Sequence, residues 1–208
     1  MTKIKVCGLS RMADIEIVNK YKPDYVGFVF AKSKRQVSRE KAKELIRKLN
    51  GDIKTVGVFV NSEIEVIKDT AEVAGLDVIQ LHGDESEEYT EKLRECTDCE
   101  IWQAVRVLNS GDIKKITSCR ADKILLDKYK GDSYGGSGEK FDWESFGKSD
   151  IPQNIILAGG LDRNNVIDGI KVFMPYAVDV SSGVETDGIK DENKIREFIE
   201  IVRKGETV

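Results

Sequence analysis

A cysteine ends the first apolar run of the chain, "KIKVCGLS" at residues 3–10. Gly8 follows Cys7 directly, and the first helical pattern begins at Ser10, which is the predicted N-cap. A thiol has an ordinary pKa of about 8.5 and becomes a usable base when a helix N-terminus or a cation stabilises the thiolate. The sequence therefore offers Cys7 as a candidate base, and the alternative is a buried small hydrophobe at a strand end.

Other reactive side chains also stand at the ends of apolar runs. Asp127 follows "KILL", where partial burial would raise the pKa of a carboxyl above its ordinary value of about 3.9 and let it act as an acid. His82, the sole histidine, ends "DVIQLH". It either contacts a substrate or is bonded within "QLHGDE", and the sequence favours neither. Asn61 and Arg106 stand at comparable positions.

Two short segments combine glycine and serine near the C-terminus, "LAGGL" at 157–161 and "DVSSGVE" at 179–185. Small residues let the backbone approach an anion closely, and serine hydroxyls add hydrogen-bond donors. The pair therefore predicts a phosphate site; the alternative is two ordinary glycine turns. Its candidate residues are Gly159, Gly160, Ser181, Ser182 and Gly183. Asp179 and Glu185 flank the site and are either structural or directed at a ribose hydroxyl.

A regular alternation of apolar runs and charged 3.6-periodic segments positions these residues. Several runs are nearly continuous in Val, Ile, Leu and Phe, which is typical of parallel strands covered on both faces. The eight strand candidates are 4–7, 25–30, 54–60, 77–82, 100–107, 123–127, 154–159 and 177–182. The helix candidates between and after them are 11–21, 38–50, 63–74, 86–96, 110–119, 162–173 and 191–204.

Eight strand–helix units in one chain predict a single-domain (β/α)8 TIM barrel spanning residues 1–208. The alternative is a doubly wound open sheet, but G-x-G-x-x-G does not follow the first strand candidate. In a barrel, the C-terminal ends of all strands meet at one rim. The thiol, the imidazole, the carboxylate and the predicted phosphate loops would therefore face one another. Residues 129–143, rich in glycine, predict a loop that closes over this rim; the alternative is a connector without a role.

Composition restricts the partners. The formal net charge of -4 gives no basic field for nucleic acid, and no apolar stretch approaches the roughly 20 residues that cross a bilayer. The N-terminus lacks a signal-peptide pattern, so a cytoplasmic location is predicted. "CTDC" at 96–99 has the spacing of half a zinc site without a second pair, so no metal is predicted.

Six segments taken together closely resemble the phosphoribosylanthranilate isomerase family of tryptophan biosynthesis. They run in family order from residue 5 to residue 191: "KVCGLS", "GFVFAKSKRQVS", "IQLHGDE", "LLDKYKGDSYGGSGEKFDW", "LAGGLDRNNV" and "DVSSGVETDGIKD". The resemblance implies a (β/α)8 barrel that needs no cofactor and acts on a phosphorylated small molecule, as a monomer or a homodimer. It also implies an Amadori rearrangement of N-(5-phosphoribosyl)anthranilate to 1-(2-carboxyphenylamino)-1-deoxyribulose 5-phosphate.

The resemblance also implies roles for individual residues. Cys7 would be the general base, Asp127 the general acid, and Arg35 the partner of the anthranilate carboxylate. The phosphate would lie on the glycines and serines named above, with His82 and Asp179 as further substrate contacts. The loop "AKSKR" lacks the prolines that the family often carries there, so Arg35 stands on a less constrained loop.

Two rival functions remain from the sequence. A histidine-pathway isomerase performs the same rearrangement, but its family uses aspartates as both acid and base, and the first strand here ends in a cysteine. A phosphate-binding barrel without turnover would give no reason for the pair of Cys7 and Asp127. The chemistry itself needs one acid to open the ribose ring and one base to remove the C2 proton.

Overall fold

Parallel strands close into a barrel in the computed structural model of the chain, which describes residues 1–107, 120–128 and 154–205. Eight strands of these residues pair in chain order, and β1 pairs with β2 on one side and β8 on the other. They are β1 (Lys3–Cys7), β2 (Tyr25–Val29), β3 (Lys54–Phe59), β4 (Val78–Leu81), β5 (Glu100–Val107), β6 (Lys123–Lys128), β7 (Ile155–Leu157) and β8 (Ala177–Val180). The predicted barrel is confirmed.

Helices follow the strands and cover the outside of the barrel. Within the described residues they are α1 (Met12–Tyr21), α2 (Arg39–Ile46), α3 (Ile64–Ala74), α4 (Glu87–Arg94), α5 (Val166–Phe173) and α6 (Glu192–Gly205). Each buries an apolar stripe; in α6 the stripe is Ile195, Phe198, Ile199 and Val202. The predicted helix at 110–119 lies outside the described residues. No helix of the described part is long and apolar enough to span a bilayer.

The start of α1 differs from the prediction. Ser10 was expected to be its N-cap, but the N-cap residue is Arg11. The reason is Asp14, whose buried carboxylate accepts hydrogen bonds from the backbone N–H groups of Ser10 and Arg11, both at 3.0 Å. An acid within the first turn thus caps the helix and leaves no need for a serine hydroxyl. At α2 a serine does cap the helix, because the Ser38 hydroxyl accepts from the Lys41 N–H.

A short hairpin follows β8, and the sequence pattern did not indicate it. β9 (Glu185–Thr186) pairs antiparallel with β10 (Ile189–Lys190), directly after one 3₁₀ turn at Ser182–Val184. The tip needs left-handed backbone at Asp187 and Gly188, with φ of 52° and 76°. Two-residue strands are too short for a visible alternation, so the hairpin could not be read from hydrophobicity.

The barrel interior changes from apolar to polar along the strands. One buried apolar cluster fills it with alternate residues of seven strands: Tyr25, Val56, Val78, Trp102, Leu125, Ile156, Ala158 and Ala177. The strand residues of opposite parity pack outward against the helices in a second, larger cluster. Two residues after Val78 and Leu125, the next inward-facing positions are Gln80 in β4 and Asp127 in β6. The polar layer at the C-terminal ends therefore rests on a closed apolar floor.

Three aspartates tie the strands together at the opposite end. Asp24, Asp77 and Asp122 stand immediately before β2, β4 and β6. Each accepts a hydrogen bond from a backbone N–H of the preceding odd-numbered strand, at Ile4 (3.0 Å), Thr55 (2.7 Å) and Ile101 (2.8 Å). Before β8 the corresponding residue is Tyr176, whose backbone N–H donates to the Ile155 carbonyl of β7 at 2.8 Å. The N-terminal ends of the strands are thus linked in pairs.

We expect Asp122→Ala to lower the free energy of unfolding by about 2 kcal/mol, because the N–H of fully buried Ile101 loses a charged acceptor. Asp122→Asn is the matched control: it keeps an oxygen acceptor and loses only the partly exposed ion pair with Arg94, worth less than about 1 kcal/mol. Urea unfolding followed by circular dichroism measures both. Equal losses in the two variants would contradict the assignment.

Candidate active site

A cavity of about 400 Å³ opens at the C-terminal rim of the barrel. The ten residues to which the sequence and the resemblance assign catalytic or binding roles all line it: Cys7, Arg35, His82, Asp127, Gly159, Gly160, Asp179, Ser181, Ser182 and Gly183. Arg106 instead pairs with Asp84 at 3.0 Å, and the Asn61 side chain accepts from the Asp84 N–H. The predicted closing loop at 129–143 lies outside the described residues. The barrel therefore brings residues from both ends of the chain to one wall.

Two glycines make room for Cys7 at the end of β1. The thiol faces inward and is only 7% exposed, and Gly27 stands beside it in register on β2. A Cβ at Gly27 would come within 2.7 Å of the Cys7 sulfur. Gly8 turns the chain away with a left-handed φ of 85°, and a Cβ there would lie 2.5 Å from Arg35 Cδ. Gly27 therefore makes room for the thiol, and Gly8 makes room for the Arg35 side chain.

A lysine lies directly below the thiol. Lys5 is fully buried inside the barrel, and its ammonium lies 3.0 Å from Asp179 Oδ1 on β8. Burial raises the pKa of the Cys7 thiol, and the cations of Lys5 and Lys190 oppose that rise. The expected stabilisation by a helix N-terminus is therefore not the main influence on Cys7, because α1 begins only at Met12. The cations of Lys5 and Lys190 are therefore the groups that can stabilise the thiolate.

His82 connects Asp127 to Gln80 across β4 and β6. His82 Nε2 lies 3.1 Å from Asp127 Oδ2, and His82 Nδ1 lies 2.9 Å from Gln80 Nε2. An amide nitrogen only donates, so in this arrangement Nδ1 accepts and Nε2 carries the proton that it donates to Asp127. Buried Gln80 Oε1 has no partner among the described residues. Rotation of that amide would offer Oε1 to Nδ1–H and let Nε2 accept a proton from Asp127.

Arg35 is held by an acid that the sequence left without an assigned role. Arg35 Nε and Nη2 donate to the two carboxylate oxygens of Glu185, at 2.7 and 2.6 Å. Lys190 Nζ donates to the same carboxylate at 2.6 Å. Burial favours neutral Glu185, but hydrogen bonds from both cations hold its pKa below the ordinary value. The hairpin thus fixes the guanidinium at the cavity wall.

The two predicted phosphate loops touch each other. A Cβ on Gly183 would lie 1.9 Å from the Leu161 carbonyl oxygen, so only glycine permits this approach. Gly159 and Gly160 have left-handed φ of 83° and 76°, which ends β7 earlier than the sequence predicted. The Ser181 hydroxyl donates to the Cys7 carbonyl at 3.1 Å and links this loop to β1. What Ser181 offers an anion is therefore its backbone, while Ser182 keeps a hydroxyl at the cavity.

Sequence reasoning missed three residues: Gln80, which lines the cavity, and the buried lysines Lys5 and Lys190. Lys5 and Gln80 stand two positions before Cys7 and His82, so the two-residue period of an inward strand face would have found them. Lys190 had no such signal, because it lies in the hairpin. As for the "CTDC" pair, Cys96 is exposed and the Cys99 thiol donates to the Leu76 carbonyl. Within the described ranges, no three His, Cys, Asp or Glu side chains group closely enough to bind a metal.

We expect alkylation of Cys7 by iodoacetamide to accelerate about tenfold per pH unit between pH 6 and pH 8, without reaching a plateau. The thiolate is the reacting species, and a raised pKa keeps it a small fraction of Cys7 throughout this range. Mass spectrometry of the peptide that contains Cys7 gives the rate separately from the other cysteines. A plateau below pH 8 would contradict the burial effect.

The chain matches known proteins along its whole length. A family model described as N-(5'phosphoribosyl)anthranilate (PRA) isomerase matches residues 4–201. N-(5'-phosphoribosyl)anthranilate isomerase of Clostridium acetobutylicum is 54% identical over 206 residues, covering 98% of this chain and 99% of the relative.

Two solved structures share the barrel. A dimeric phosphoribosylanthranilate isomerase from Thermotoga maritima, solved as generated monomers, superposes with a TM-score of 0.82 at 37% identity, covering 98% of this chain and 100% of that one. A phosphoribosyl anthranilate isomerase in complex with reduced 1-(o-carboxyphenylamino)-1-deoxyribulose 5-phosphate gives 0.82 at 36% identity, with the same coverage. On this evidence, the chain belongs to the N-(5'-phosphoribosyl)anthranilate isomerase family.

Proposed function

We propose that Cys7 and Asp127 perform, as base and acid, the isomerisation of N-(5-phosphoribosyl)anthranilate to 1-(2-carboxyphenylamino)-1-deoxyribulose 5-phosphate in tryptophan biosynthesis. The observation that carries this proposal is one cavity lined by a thiol, a carboxyl, a guanidinium and two glycine loops. A related enzyme binds the reduced form of the same product. No cofactor is needed, because the substrate's own nitrogen accepts the electrons.

The rearrangement moves two protons and no heavy atoms. Asp127 gives a proton to the ribose ring oxygen while the C1–O bond breaks and the nitrogen lone pair forms a C1=N iminium. The Cys7 thiolate then removes the proton on C2, and the C–H electrons form a C1=C2 bond as the iminium becomes an enamine. The C2 hydroxyl finally gives its proton to the Asp127 carboxylate and the Cys7 thiol gives its proton to C1, which yields the ketone and returns both residues to their starting states. General acid–base steps of this kind contribute about 10²–10⁴-fold each.

The partners of Asp127 support its role as the acid. A carboxyl donates a proton only if it holds one, and His82 Nε2 stands where it could accept that O–H in hydrogen bonding. Gln80 has both a donor and an acceptor and can satisfy either tautomer of His82 by turning its amide. His82 thereby serves Asp127 in both protonation states, which goes beyond the substrate contact predicted from the sequence.

The substrate's two anionic ends fit the two sides of the cavity. Glu185 occupies Arg35 Nε and one Nη2 proton, so a benzoate carboxylate would meet Nη1 and the second Nη2 proton. The phosphate would lie against backbone N–H groups of the loops that contain Gly159, Gly160, Ser182 and Gly183. Asp179 Oδ1 is bonded to Lys5, which leaves its other oxygen for a ribose hydroxyl.

We also propose that residues 1–208 act as one barrel domain in the cytoplasm, as a monomer or a homodimer. The small phosphorylated substrate is the expected partner, and the net charge of -4 gives no field for nucleic acid. The Thermotoga maritima relative is described as dimeric, which makes a homodimer the state to test first by sedimentation.

We expect Cys7→Ser and Asp127→Asn each to lower kcat by about 10²–10⁴-fold, because each removes one proton-transfer group. The assay follows the loss of fluorescence of the anthranilate derivative. Cys96→Ser, which changes an exposed thiol outside the cavity, is the matched control and should keep full activity. Turnover that survives either catalytic substitution would refute that residue's role, and absence of turnover in the unmodified protein would refute the substrate.

We expect Gly183→Ala to raise KM by about tenfold or more with a smaller effect on kcat, because a Cβ against the Leu161 carbonyl forces the two phosphate loops apart. Competitive inhibition by inorganic phosphate should weaken in parallel. Gly51→Ala is the control, since a Cβ there meets no atom within 4 Å. An unchanged KM would place the phosphate elsewhere.

A further inference from the structure

We propose that Lys5 is a positioning residue for the reaction, in which its ammonium is the buried counter-cation of the Cys7 thiolate and Asp179 holds that ammonium in place. This inference rests on the proposed function, since it explains how Cys7 can act as the base. It concerns a residue to which neither the family resemblance nor the predicted site assigns a role.

The strand geometry fixes the Lys5 side chain below Cys7, inside the barrel. The two residues stand at positions i and i+2 of β1, so both side chains enter the barrel on the same face. Asp179 is the register partner of Lys5 on β8. Lys5 has 0% exposure, and the layer beneath it is the apolar cluster of the barrel interior.

A buried ammonium in such a place is costly unless its charge is compensated. Lysines are almost never fully buried without a partner, and hydrophobic residues of similar size often serve stability as well as a buried ion pair does. Asp179 supplies one partner at 3.0 Å, and the negative charge of the Cys7 thiolate, two residues further along the same strand, supplies the other interaction. Both interactions keep the pKa of Lys5 above its ordinary value although burial opposes them.

The charges around Cys7 distinguish Lys5 from the neighbouring cations. Deprotonation of Cys7 places a second anion next to Asp179, and that carboxylate disfavours the thiolate. Lys190 favours the thiolate from β10, but its ammonium donates to Glu185 at 2.6 Å and to the Ser181 carbonyl at 2.9 Å. Arg35 is paired through two bonds with Glu185. Of these three cations, Lys5 favours the thiolate of Cys7 most strongly.

The arrangement also suits the proton transfer. Before the reaction, the Lys5 cation is shared by two anions, Cys7 and Asp179. After Cys7 has taken the C2 proton, the thiol is neutral and Lys5 and Asp179 remain as a balanced pair. The buried charge thus decreases as the proton arrives, and the ion pair needs no rearrangement.

The test measures the alkylation of Cys7 by iodoacetamide from pH 6 to pH 10.5, by mass spectrometry, in four proteins: the unmodified chain, Lys5→Met, Asp179→Asn and the double variant. Removal of Lys5 should slow alkylation at pH 7.5 by about tenfold or more, because the thiolate loses its nearest cation. Asp179→Asn breaks the same ion pair but should accelerate alkylation, because the cation is left to Cys7 alone.

The double variant removes both charges of the ion pair, so no unpaired charge is left in the core. The test therefore remains valid if Lys5→Met alone does not fold. The double variant should react about tenfold or more slowly than Asp179→Asn. Lys3→Met is the control: it removes a lysine of the same strand and an ion pair with Asp24, and should leave the Cys7 profile unchanged.

A purely structural ion pair predicts that Lys5→Met and Asp179→Asn change the profile in the same direction, and that result would overturn the proposal. The proposal would also be overturned if Lys5→Met were alkylated within twofold of the rate of the unmodified chain, and the double variant within twofold of the rate of Asp179→Asn. The measurement uses no substrate, so a failure of the proposed isomerase activity would leave its outcome intact. In the active enzyme, Lys5→Met should also move the ascending limb of the pH profile of kcat/KM to higher pH.

Discussion

The two-residue period of a strand is the constraint on which the site depends. Eight parallel strands can close only if each turns one face inward, so the residue below each rim group is fixed two positions earlier in the sequence. Lys5 lies below Cys7, Gln80 below His82, and Leu125 below Asp127. The residue that lies below each of these rim groups therefore comes from the same strand as the group itself.

This constraint explains why the two proposed proton carriers have different surroundings. Cys7, the proposed base, lies above the ion pair of Lys5 and Asp179 between neighbouring strands β1 and β8. Asp127, the proposed acid, lies above Leu125 and contacts His82, which follows β4. A thiolate needs a cation nearby, and a carboxyl that gives and regains a proton needs a neighbour that can both donate and accept a hydrogen bond. Closure of the barrel places these two environments on different sides of one cavity.

The sequence allowed the barrel and the lining of the cavity to be predicted, because both follow from periodicity and from where apolar runs end. It did not reveal the buried charge of Lys5, since a lysine within a short apolar run looks like a solvated strand residue until the sheet closes. Nor did it reveal the hairpin with Glu185 and Lys190, whose strands are too short for a pattern. The prediction of Ser10 as the N-cap was wrong because the buried carboxylate of Asp14, a residue inside the helix, accepts the hydrogen bonds from the Ser10 and Arg11 N–H groups.

The aspartates before β2, β4 and β6 stand at the end of the barrel opposite the cavity. Each joins an odd-numbered strand to the even-numbered strand that follows it, so the recurring unit is a strand–helix–strand segment sealed at its base. Loops at the other end can then diverge in length and composition without loosening these seals. A change of residues around the cavity would therefore leave the contacts that hold the strands together at the opposite end in place.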